Sequence, residues 1–329
     1  MKKNRLIKQL ILLSFLMIIF VVAVGMIYLG STIFRAQLPF FQLIDQANTD
    51  VLQIGPKPTP YDGVMDFDTE PSVDLYMVLG SDYRPQSGFR TDILMLIALE
   101  KKSGQVSIVS FPRDLWVSIP GYGEGRINTV MQLGGFQLLS DTMQVNFGVY
   151  PTQYAMIDME GFLQVIDVLG GITFVTDSYT ADGCDGSLDP DGWCEIGPGS
   201  VALDSQWALW YVRARYNSSD FDRMRRTQEV VKAVFDKAVS PAGILHLNDL
   251  MQIYETEVES NITPNQLLSL TRLGLNFDSS QDIRRFTIGP SEVTSWTTPD
   301  GGAVLLPNIQ AIQTILSEAL NFGSNQSMD

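Results

Sequence analysis

An uninterrupted apolar segment near the N-terminus limits what this chain can fold into more than any other feature. Residues 10–30 contain no charged side chain, and Ser14 is their only clearly polar member. At about 1.5 Å per residue, a helix of this length spans roughly 30 Å, which is the thickness of the hydrocarbon core of a bilayer. The sequence therefore predicts a single transmembrane helix over 10–30.

Basic residues before this segment predict its orientation. Four of them lie within the first eight residues, and the first acidic residue of the chain is Asp45. Because basic residues stay on the cytoplasmic side, residues 1–9 should form a cytoplasmic tail, with the remainder outside the cell. A cleaved signal peptide is the alternative, but the apolar segment is long for one and no clean cleavage site follows it. We expect a single-pass protein of the cell membrane with an extracellular domain.

The composition argues against several classes of function. The chain has 37 acidic and 22 basic residues and a formal net charge of −15. A nucleic-acid binder needs a basic face, so we expect no nucleic-acid partner. His246 is the only histidine, which disfavours histidine-rich metal sites and Ser-His-Asp systems. The glycine motifs of P-loop and dinucleotide-binding enzymes are absent from the sequence.

The two cysteines, Cys184 and Cys194, lie in a turn-rich stretch. Outside the membrane, two cysteines at this separation predict a disulfide that closes a short loop, over 177–200. Aspartates in the same stretch could bind calcium, but their spacing does not match an EF-hand loop. A solvated acidic loop is the better interpretation.

Strand and helix patterns alternate along the rest of the chain. Residues 31–70 contain prolines and no sustained period, which is typical of a juxtamembrane segment and linker. Apolar runs predict strands at 73–79, 93–99, 105–111, 172–175 and 283–288. Helical spacing marks 161–169, 205–211, 222–239, 263–275 and 308–320. We expect an α/β fold over 71–322, a three-layer αβα domain with a central mixed β-sheet, followed by a disordered tail at 323–329.

The arginines of the predicted outer domain are grouped, whereas its lysines lie elsewhere. Nine arginines fall in three stretches: Arg84 and Arg90; Arg113 and Arg126; Arg213, Arg215, Arg223, Arg225 and Arg226. The planar guanidinium binds two phosphate oxygens at once, which a lysine ammonium does not. The grouping therefore predicts one concentrated anion site, and pairing with surface acids is the alternative.

A helical wheel separates the last three arginines. Arg223 and Arg226 share a face with Val230 and Val234, which should be buried, whereas Arg225 points towards solvent. An unpaired buried charge is very unfavourable. The two inward arginines therefore need an acidic side chain or a bound anion as their partner.

Two aspartates flank the first pair of predicted strands. Asp82 follows the first strand and Asp92 precedes the second. If these strands are antiparallel neighbours, both carboxylates meet at one edge beside Arg84 and Arg90. Such a pair suits a divalent ion that bridges to a phosphate. Asp114 is either a third acid of this group or a loop cap.

Four groups of residues, in this order, resemble the LytR–CpsA–Psr (LCP) family of membrane-anchored cell-wall enzymes. They are Gly80–Arg84 with Arg90–Asp92, Ser110–Asp114 with Arg126–Asn128, Tyr154–Asp158 with Asp167–Ile172, and Ala208–Tyr216 with Asp220–Gln228. The motifs cover about 70–240. The resemblance implies an extracytoplasmic phosphotransferase that moves a glycopolymer from a polyprenyl-pyrophosphate carrier onto peptidoglycan, typically at a muramic-acid 6-hydroxyl.

The resemblance also implies roles for individual residues. Asp82 and Asp92 would hold Mg²⁺, with Mn²⁺ as a substitute. The catalytic set would be Asp82, Asp92, Arg113, Arg213 and Arg215. The pyrophosphate would be bound by Arg84, Arg90, Arg113, Arg126, Arg213, Arg215, Arg223 and Arg226. An apolar groove between sheet and helices would take the lipid tail.

The chain departs from the family pattern at two positions. Thr227-Gln228 stands where members usually have Gln-Gln, and the wheel predicts that Thr227 faces inward and Gln228 does not. Asp222 replaces a common glycine and adds a negative charge near the site. Two other functions stay open: hydrolysis of the polyprenyl pyrophosphate by water, and a non-catalytic role in binding wall polymers or regulating their assembly.

Overall fold

A six-stranded mixed β-sheet lies at the centre of the computed structural model. The structure describes residues 61–67, 72–84, 88–216, 218–263, 265–267 and 283–322, without the side chains of Tyr83 and Arg84. The predicted tail 1–9, membrane helix 10–30, most of the linker 31–70, most of the helix 263–275 and the tail 323–329 lie outside the described residues. Within these ranges, none of the helices is long and apolar enough to span a bilayer.

Each strand and helix that the sequence predicts within the described residues is present, together with further elements. The strands are β1 Val73–Arg84, β2 Gly88–Glu100, β3 Val106–Phe111, β4 Trp116–Ile119, β5 Gly123–Arg126, β6 Gln153–Ile157, β7 Ile172–Thr176, β8 Thr180–Gly183, β9 Trp193–Ile196, β10 Gly199–Leu203, β11 Val258–Ser260, β12 Ile283–Thr287, β13 Val293–Thr297 and β14 Ala303–Pro307. The helices are α1 Val130–Phe147, α2 Met159–Val168, α3 Ser205–Arg213, α4 Asp220–Val239, α5 Pro241–Ile244, α6 Leu247–Glu257 and α7 Ile309–Leu320.

The central sheet has the strand order β11-β6-β1-β2-β3-β12. β2 is antiparallel to both β1 and β3, whereas β6 runs parallel to β1 and β12 parallel to β3. The expected mixed sheet is therefore confirmed. β1 and β2 extend beyond the predicted apolar runs, because their polar ends continue the same ladder up to the pair Arg84 and Gly88.

Strand alternation sends side chains to helices on both faces of the sheet. Leu75, Met77 and Leu79 of β1 join a buried cluster with α1 and α7. The opposite face carries α2, α4 and α6, and α3 packs against α2 and α4. The αβα layering expected from the sequence is therefore present in the described residues.

The sequence patterns do not reveal α1, the longest helix on the first face. Its buried residues include polar ones such as Ser140, Thr142 and Gln144, so it lacks the one-sided apolar stripe of a surface helix. Gly134 and Gly135 also interrupt its helical backbone, and Gly135 has a φ of 66°. A helix that is buried on most sides and broken by glycine gives little periodic signal.

The loop over 177–200 contains a small hairpin held by the predicted disulfide. β8 pairs with β9, and Asp182 lies opposite Cys194. Cys184 and Cys194 are bonded, with a Cα–Cα distance of 5.7 Å. Cys194 is buried against α3, in the cluster that contains Trp210 and Tyr211. The disulfide thus closes the hairpin, and the buried Cys194 packs the hairpin against α3.

The prediction that Gln228 faces away from the sheet is wrong. Its Nε2 donates hydrogen bonds to the Ser110 hydroxyl at 2.7 Å and to the Phe286 carbonyl at 2.9 Å. The wheel fails because α4 is covered from two sides, by the central sheet and by β7 with α3. Thr227 is buried as expected.

Replacing Gln228 with leucine should therefore destabilise the domain. The change leaves buried polar groups of β3 and β12 without their donor, which costs about 1–3 kcal/mol. Urea unfolding of Gln228→Leu should show this loss, whereas Gln310→Leu on the exposed face of α7 should be nearly neutral. Equal stability of the two variants would show that the hydrogen bonds of Gln228 do not hold α4 against the sheet.

Candidate functional site

A β-bulge determines where Asp92 points. Gly80–Ser81 of β1 lies opposite Thr91–Ile93 of β2, so Asp92 is the extra residue of the longer strand. In a regular strand Asp92 would share the face of Leu94 and Leu96, which pack in the core against α1. The bulge instead lets Asp92 line a cavity on the opposite face.

This sheet–helix cavity lies between the central sheet and helices α2, α3 and α4. Its volume is about 410 Å³, within the usual range for sites of small ligands. Its apolar walls include Val78, Met95, Phe162, Leu209, Val212 and Val230. The charged residues that line it include Asp82, Asp92, Asp158, Arg213, Arg215 and Arg223. The cavity thus combines an apolar body with a cluster of charged groups, which we call the charged mouth and define as Asp82, Asp92, Arg213, Arg215 and Arg223.

Arg113 lies at the centre of an ion-pair network beside this mouth. Its Nη1 is 2.9 Å from Asp92 Oδ2, and its Nε is 3.3 Å from Asp114 and 3.5 Å from Asp220. Burial alone would lower the pKa of Arg113, but the carboxylates of Asp92, Asp220 and Asp114 outweigh it and raise that pKa. The guanidinium is therefore held charged and fixed in place.

The pKa of Arg223, in contrast to that of Arg113, is lowered. Its Nη2 lies 3.3 Å from Asp220 Oδ1. Burial lowers the pKa of Arg223, repulsion from Arg113 lowers it further, and Asp220 only partly compensates. An anion placed among these arginines would relieve that repulsion. The arrangement favours the binding of a negatively charged group.

Arg213 and Arg215 reach the mouth from the end of α3. Both are exposed and line the sheet–helix cavity. The loop that follows α3 is held by Asp182, whose Oδ2 accepts the backbone N–H groups of Arg215 and Tyr216. Burial would raise the pKa of Asp182, but these N–H groups outweigh it and keep that pKa low. The carboxylate therefore stays ionised and keeps the loop docked.

Arg226 does not line the cavity, although the resemblance places it with the pyrophosphate ligands. It is 1% exposed, and its Nη2 donates to the Ala214 carbonyl and to the Ser218 hydroxyl. Its guanidinium also lies 5.8 Å from the centre of the Tyr211 ring. Burial lowers the pKa of Arg226. Its contacts make it a support for the loop that carries Arg213 and Arg215.

Arg126 and Arg90 do not line the sheet–helix cavity. Arg126 is 3.3 Å from Asp114 and donates to the Ala303 carbonyl at 3.0 Å, so it faces β14 rather than the cavity. Arg90 is the strand partner of Asp82. The side chain of Arg84 lies outside the described residues. Arg225, predicted to point to solvent, pairs with Glu229 and is half-buried.

Two acidic residues lie at the start of α4. Ser219 is the N-cap of this helix, and the carboxylate of Asp220 joins Arg113 to Arg223. Asp222 completes the capping box by accepting the Ser219 N–H. The hydrogen bond from that N–H lowers the pKa of Asp222. The pattern Ser-x-x-Asp is the sequence signal for this cap.

Asp82 and Asp92 are the groups that could hold a divalent cation. Within the described ranges, no group of three or more His, Cys, Asp or Glu residues could hold a metal ion. Mg²⁺, however, commonly uses only one or two carboxylates, with substrate phosphates and waters as its remaining ligands. Oxygen donors also suit Mn²⁺. The residues present therefore fit a cation that shares its coordination with a bound phosphate.

Comparison with known sequences identifies relatives along most of the chain. The model of the LytR_cpsA_psr family matches residues 67–318. The regulatory protein MsrR of Staphylococcus aureus (strain COL) is 30% identical over 252 residues, which are 74% of each chain. The polyisoprenyl-teichoic acid–peptidoglycan teichoic acid transferase TagU of Bacillus licheniformis is 30% identical over 206 residues, 61% of this chain and 64% of TagU.

Comparison with solved structures supports the fold. The crystal structure of B. subtilis TagV has a TM-score of 0.63 at 23% identity and covers 76% of this chain and 98% of TagV. The structure of TagT bound to LIIa-WTA has a TM-score of 0.62 at 21% identity and covers 82% of this chain and 97% of TagT. At this identity the likeness shows a shared mixed α/β fold around a central sheet.

Removing the Arg226 guanidinium should loosen the loop after α3. In Arg226→Met the Ala214 carbonyl loses its buried donor, and we expect a loss of about 1–3 kcal/mol in the free energy of unfolding. Hydrogen exchange should become faster at the amides of Arg215 and Tyr216. The exposed Arg285 offers a matched control, and Arg285→Met should leave these amides protected. Unchanged exchange in Arg226→Met would show that Arg226 does not hold this loop.

Proposed function

The chain belongs to the LytR–CpsA–Psr family, and from that premise we propose that it is an extracytoplasmic phosphotransferase of cell-wall assembly. It moves a glycopolymer from a polyprenyl-pyrophosphate carrier onto peptidoglycan. The name of the relative TagU, a teichoic acid transferase that uses a polyisoprenyl-linked donor, supports this activity. The predicted helix at 10–30 keeps the domain at the membrane, where a lipid carrier resides.

The sheet–helix cavity is the observation that carries the proposal. A polyprenyl-pyrophosphate donor has an apolar chain joined to a strongly anionic group, and the cavity has the same two-part character. Its apolar walls suit the first isoprene units, and Arg213, Arg215 and Arg223 line it where the charged groups cluster. Burial of apolar surface and charge-assisted hydrogen bonds then act on different parts of one ligand.

The arginines act on the phosphates in two ways. Arg213 and Arg215 are exposed and can close on the phosphate oxygens as the donor enters. Arg113 and Arg223 are already fixed by Asp92 and Asp220 before the donor arrives. Fixed charges stabilise the negative charge that develops in the transition state without reorganisation. Phosphoryl transfer relies mainly on such positioning and charge stabilisation.

In the proposed reaction a hydroxyl oxygen of the acceptor forms a bond to the phosphorus that carries the glycopolymer. The bond from this phosphorus to the bridging oxygen breaks, and the carrier leaves as polyprenyl monophosphate. The hydroxyl proton passes to a carboxylate of the mouth, Asp82 or Asp92. A bound Mg²⁺ would supply further charge neutralisation on the pyrophosphate.

A regulatory role is the second candidate, because the relative with the wider coverage is named regulatory protein MsrR. Such a protein would bind the wall polymer or its carrier without transferring it. Hydrolysis of the donor by water would use the same site as transfer. Product analysis separates these possibilities, because transfer yields labelled peptidoglycan and hydrolysis yields free polymer phosphate.

The transfer assay should depend on the charged mouth. Full-length protein, a labelled polyprenyl-pyrophosphate glycopolymer and peptidoglycan are incubated, and polymer bound to peptidoglycan is measured. Arg223→Ala should lower the rate by about 10²-fold or more, as removal of one transition-state donor does elsewhere. Asp92→Asn removes a carboxylate that would accept a proton or hold the cation, and should lower the rate by a similar factor. Arg285→Ala, at an exposed position of β12, should keep the wild-type rate.

The same assay tests whether transfer depends on a divalent metal ion. Chelation should stop transfer, and added Mg²⁺ or Mn²⁺ should restore it, since Asp82 and Asp92 would share the cation with the donor. Wild-type rates in Arg223→Ala and Asp92→Asn would overturn the assignment of the site. Release of free polymer phosphate at the same rate with and without peptidoglycan would replace transfer by hydrolysis.

A further inference from the structure

A second cavity, the loop cavity, lies beside the disulfide-bonded loop over 177–200. Its volume is about 420 Å³, which again suits a small ligand or a few sugar units. The loop contributes Asp182, Asp185 and Leu188 to its lining, and α3 contributes Gln206, Trp210 and Arg213. The disulfide therefore positions one wall of a defined cavity.

The two cavities share Leu209 and Arg213. A molecule in the loop cavity would therefore meet the same guanidinium as a phosphate at the charged mouth. Two substrates that react with each other must be held with their reacting atoms close together, next to the groups that assist the reaction. The loop cavity is placed where a second substrate would approach the phosphate.

The charge of the loop indicates what kind of molecule can enter. Residues 177–200 contain no lysine or arginine. Their acidic residues are Asp177, Asp182, Asp185, Asp189, Asp191 and Glu195. Of these, Asp182 and Asp185 line the cavity together with Arg213. Their carboxylates repel phosphate-rich molecules and accept hydrogen bonds from hydroxyl and amide groups. The anionic donor is thus disfavoured in the loop cavity, and a phosphate-free molecule rich in donors is favoured.

Exposed aromatic rings stand next to residues of this cavity. Trp193 is the strand partner of Gly183, which lines the cavity, and its ring is 4.8 Å from that of Tyr216. Trp193 is 38% and Tyr216 54% exposed. Aromatic faces offer broad contact area to the apolar faces of sugar rings, while the neighbouring carboxylates meet the hydroxyl groups. A saccharide matches both features.

We propose that the loop cavity is the acceptor subsite and binds a phosphate-free saccharide chain that presents a hydroxyl group towards Arg213. This inference rests on the proposed function and extends it to the second substrate. Trp193, whose ring meets that of Tyr216 nearly at a right angle, provides an aromatic surface beside the cavity, and Gln206 and Asp185 provide hydrogen-bonding groups in its lining. Asp182 acts differently, because it already holds the loop that carries Arg215.

The test combines direct binding with transfer kinetics on the full-length protein in detergent. Calorimetry measures binding of a β-1,4-linked N-acetylglucosamine tetrasaccharide without any donor. Trp193→Ala and Gln206→Ala should weaken this binding by about tenfold. In the transfer assay they should raise the KM for acceptor by a similar factor and leave the KM for donor unchanged. Trp296→Ala is the matched control, since Trp296 is also 38% exposed and lies on β13.

The outcomes separate this inference from the proposed function. Wild-type protein that transfers polymer but does not bind the tetrasaccharide would overturn the subsite and leave the function intact. Equal effects of Trp193→Ala and Trp296→Ala would also overturn it. Protein that binds the tetrasaccharide through Trp193 and Gln206 but transfers nothing would support the saccharide site and contradict the transferase.

Discussion

The site depends on a group of arginines that repel one another and are held together by a few carboxylates. Asp220 lies between Arg113 and Arg223, and Asp92 fixes Arg113 from the sheet. The pKa values show the balance: the pKa of Arg113 is raised by its acidic neighbours, whereas that of Arg223 is lowered by burial and by Arg113. The network thus concentrates positive charge beside the cavity. Its carboxylates neutralise only part of this charge, and a bound anion would neutralise more of it.

The fold supplies the positions that this network needs. The bulge in β2 turns Asp92 from the core face of the sheet to the cavity face. Buried Arg226 and ionised Asp182 hold the loop after α3 from two sides, at the Ala214 carbonyl and at the Arg215 amide. Arg226 and Asp182 do not line the sheet–helix cavity themselves, but they determine where Arg213 and Arg215 lie. The disulfide closes the hairpin that carries Asp182.

Much of this arrangement could be predicted from the sequence, and the exceptions have physical causes. Apolar runs predicted β1, β2, β3 and β12 of the central sheet but not β6 or β11, and the grouped arginines with Asp82 and Asp92 indicated an anion site. A one-residue bulge leaves no periodic signal, so the face of Asp92 followed only from the structure. The helical wheel correctly placed Arg223 and Arg226 on the inward face. It could not show that Arg223 lines the cavity whereas Arg226 supports the loop after α3. It misplaced Gln228 because α4 is buried on two sides.

We propose that the charged mouth holds the phosphate groups of a polyprenyl carrier. The most direct measurement is mass spectrometry of lipids that remain bound to full-length protein purified from membranes, beside an Arg213→Ala/Arg215→Ala variant. Polyprenyl phosphate or pyrophosphate should be present in the wild type and absent from the variant. The same lipid in equal amounts in both samples would contradict it.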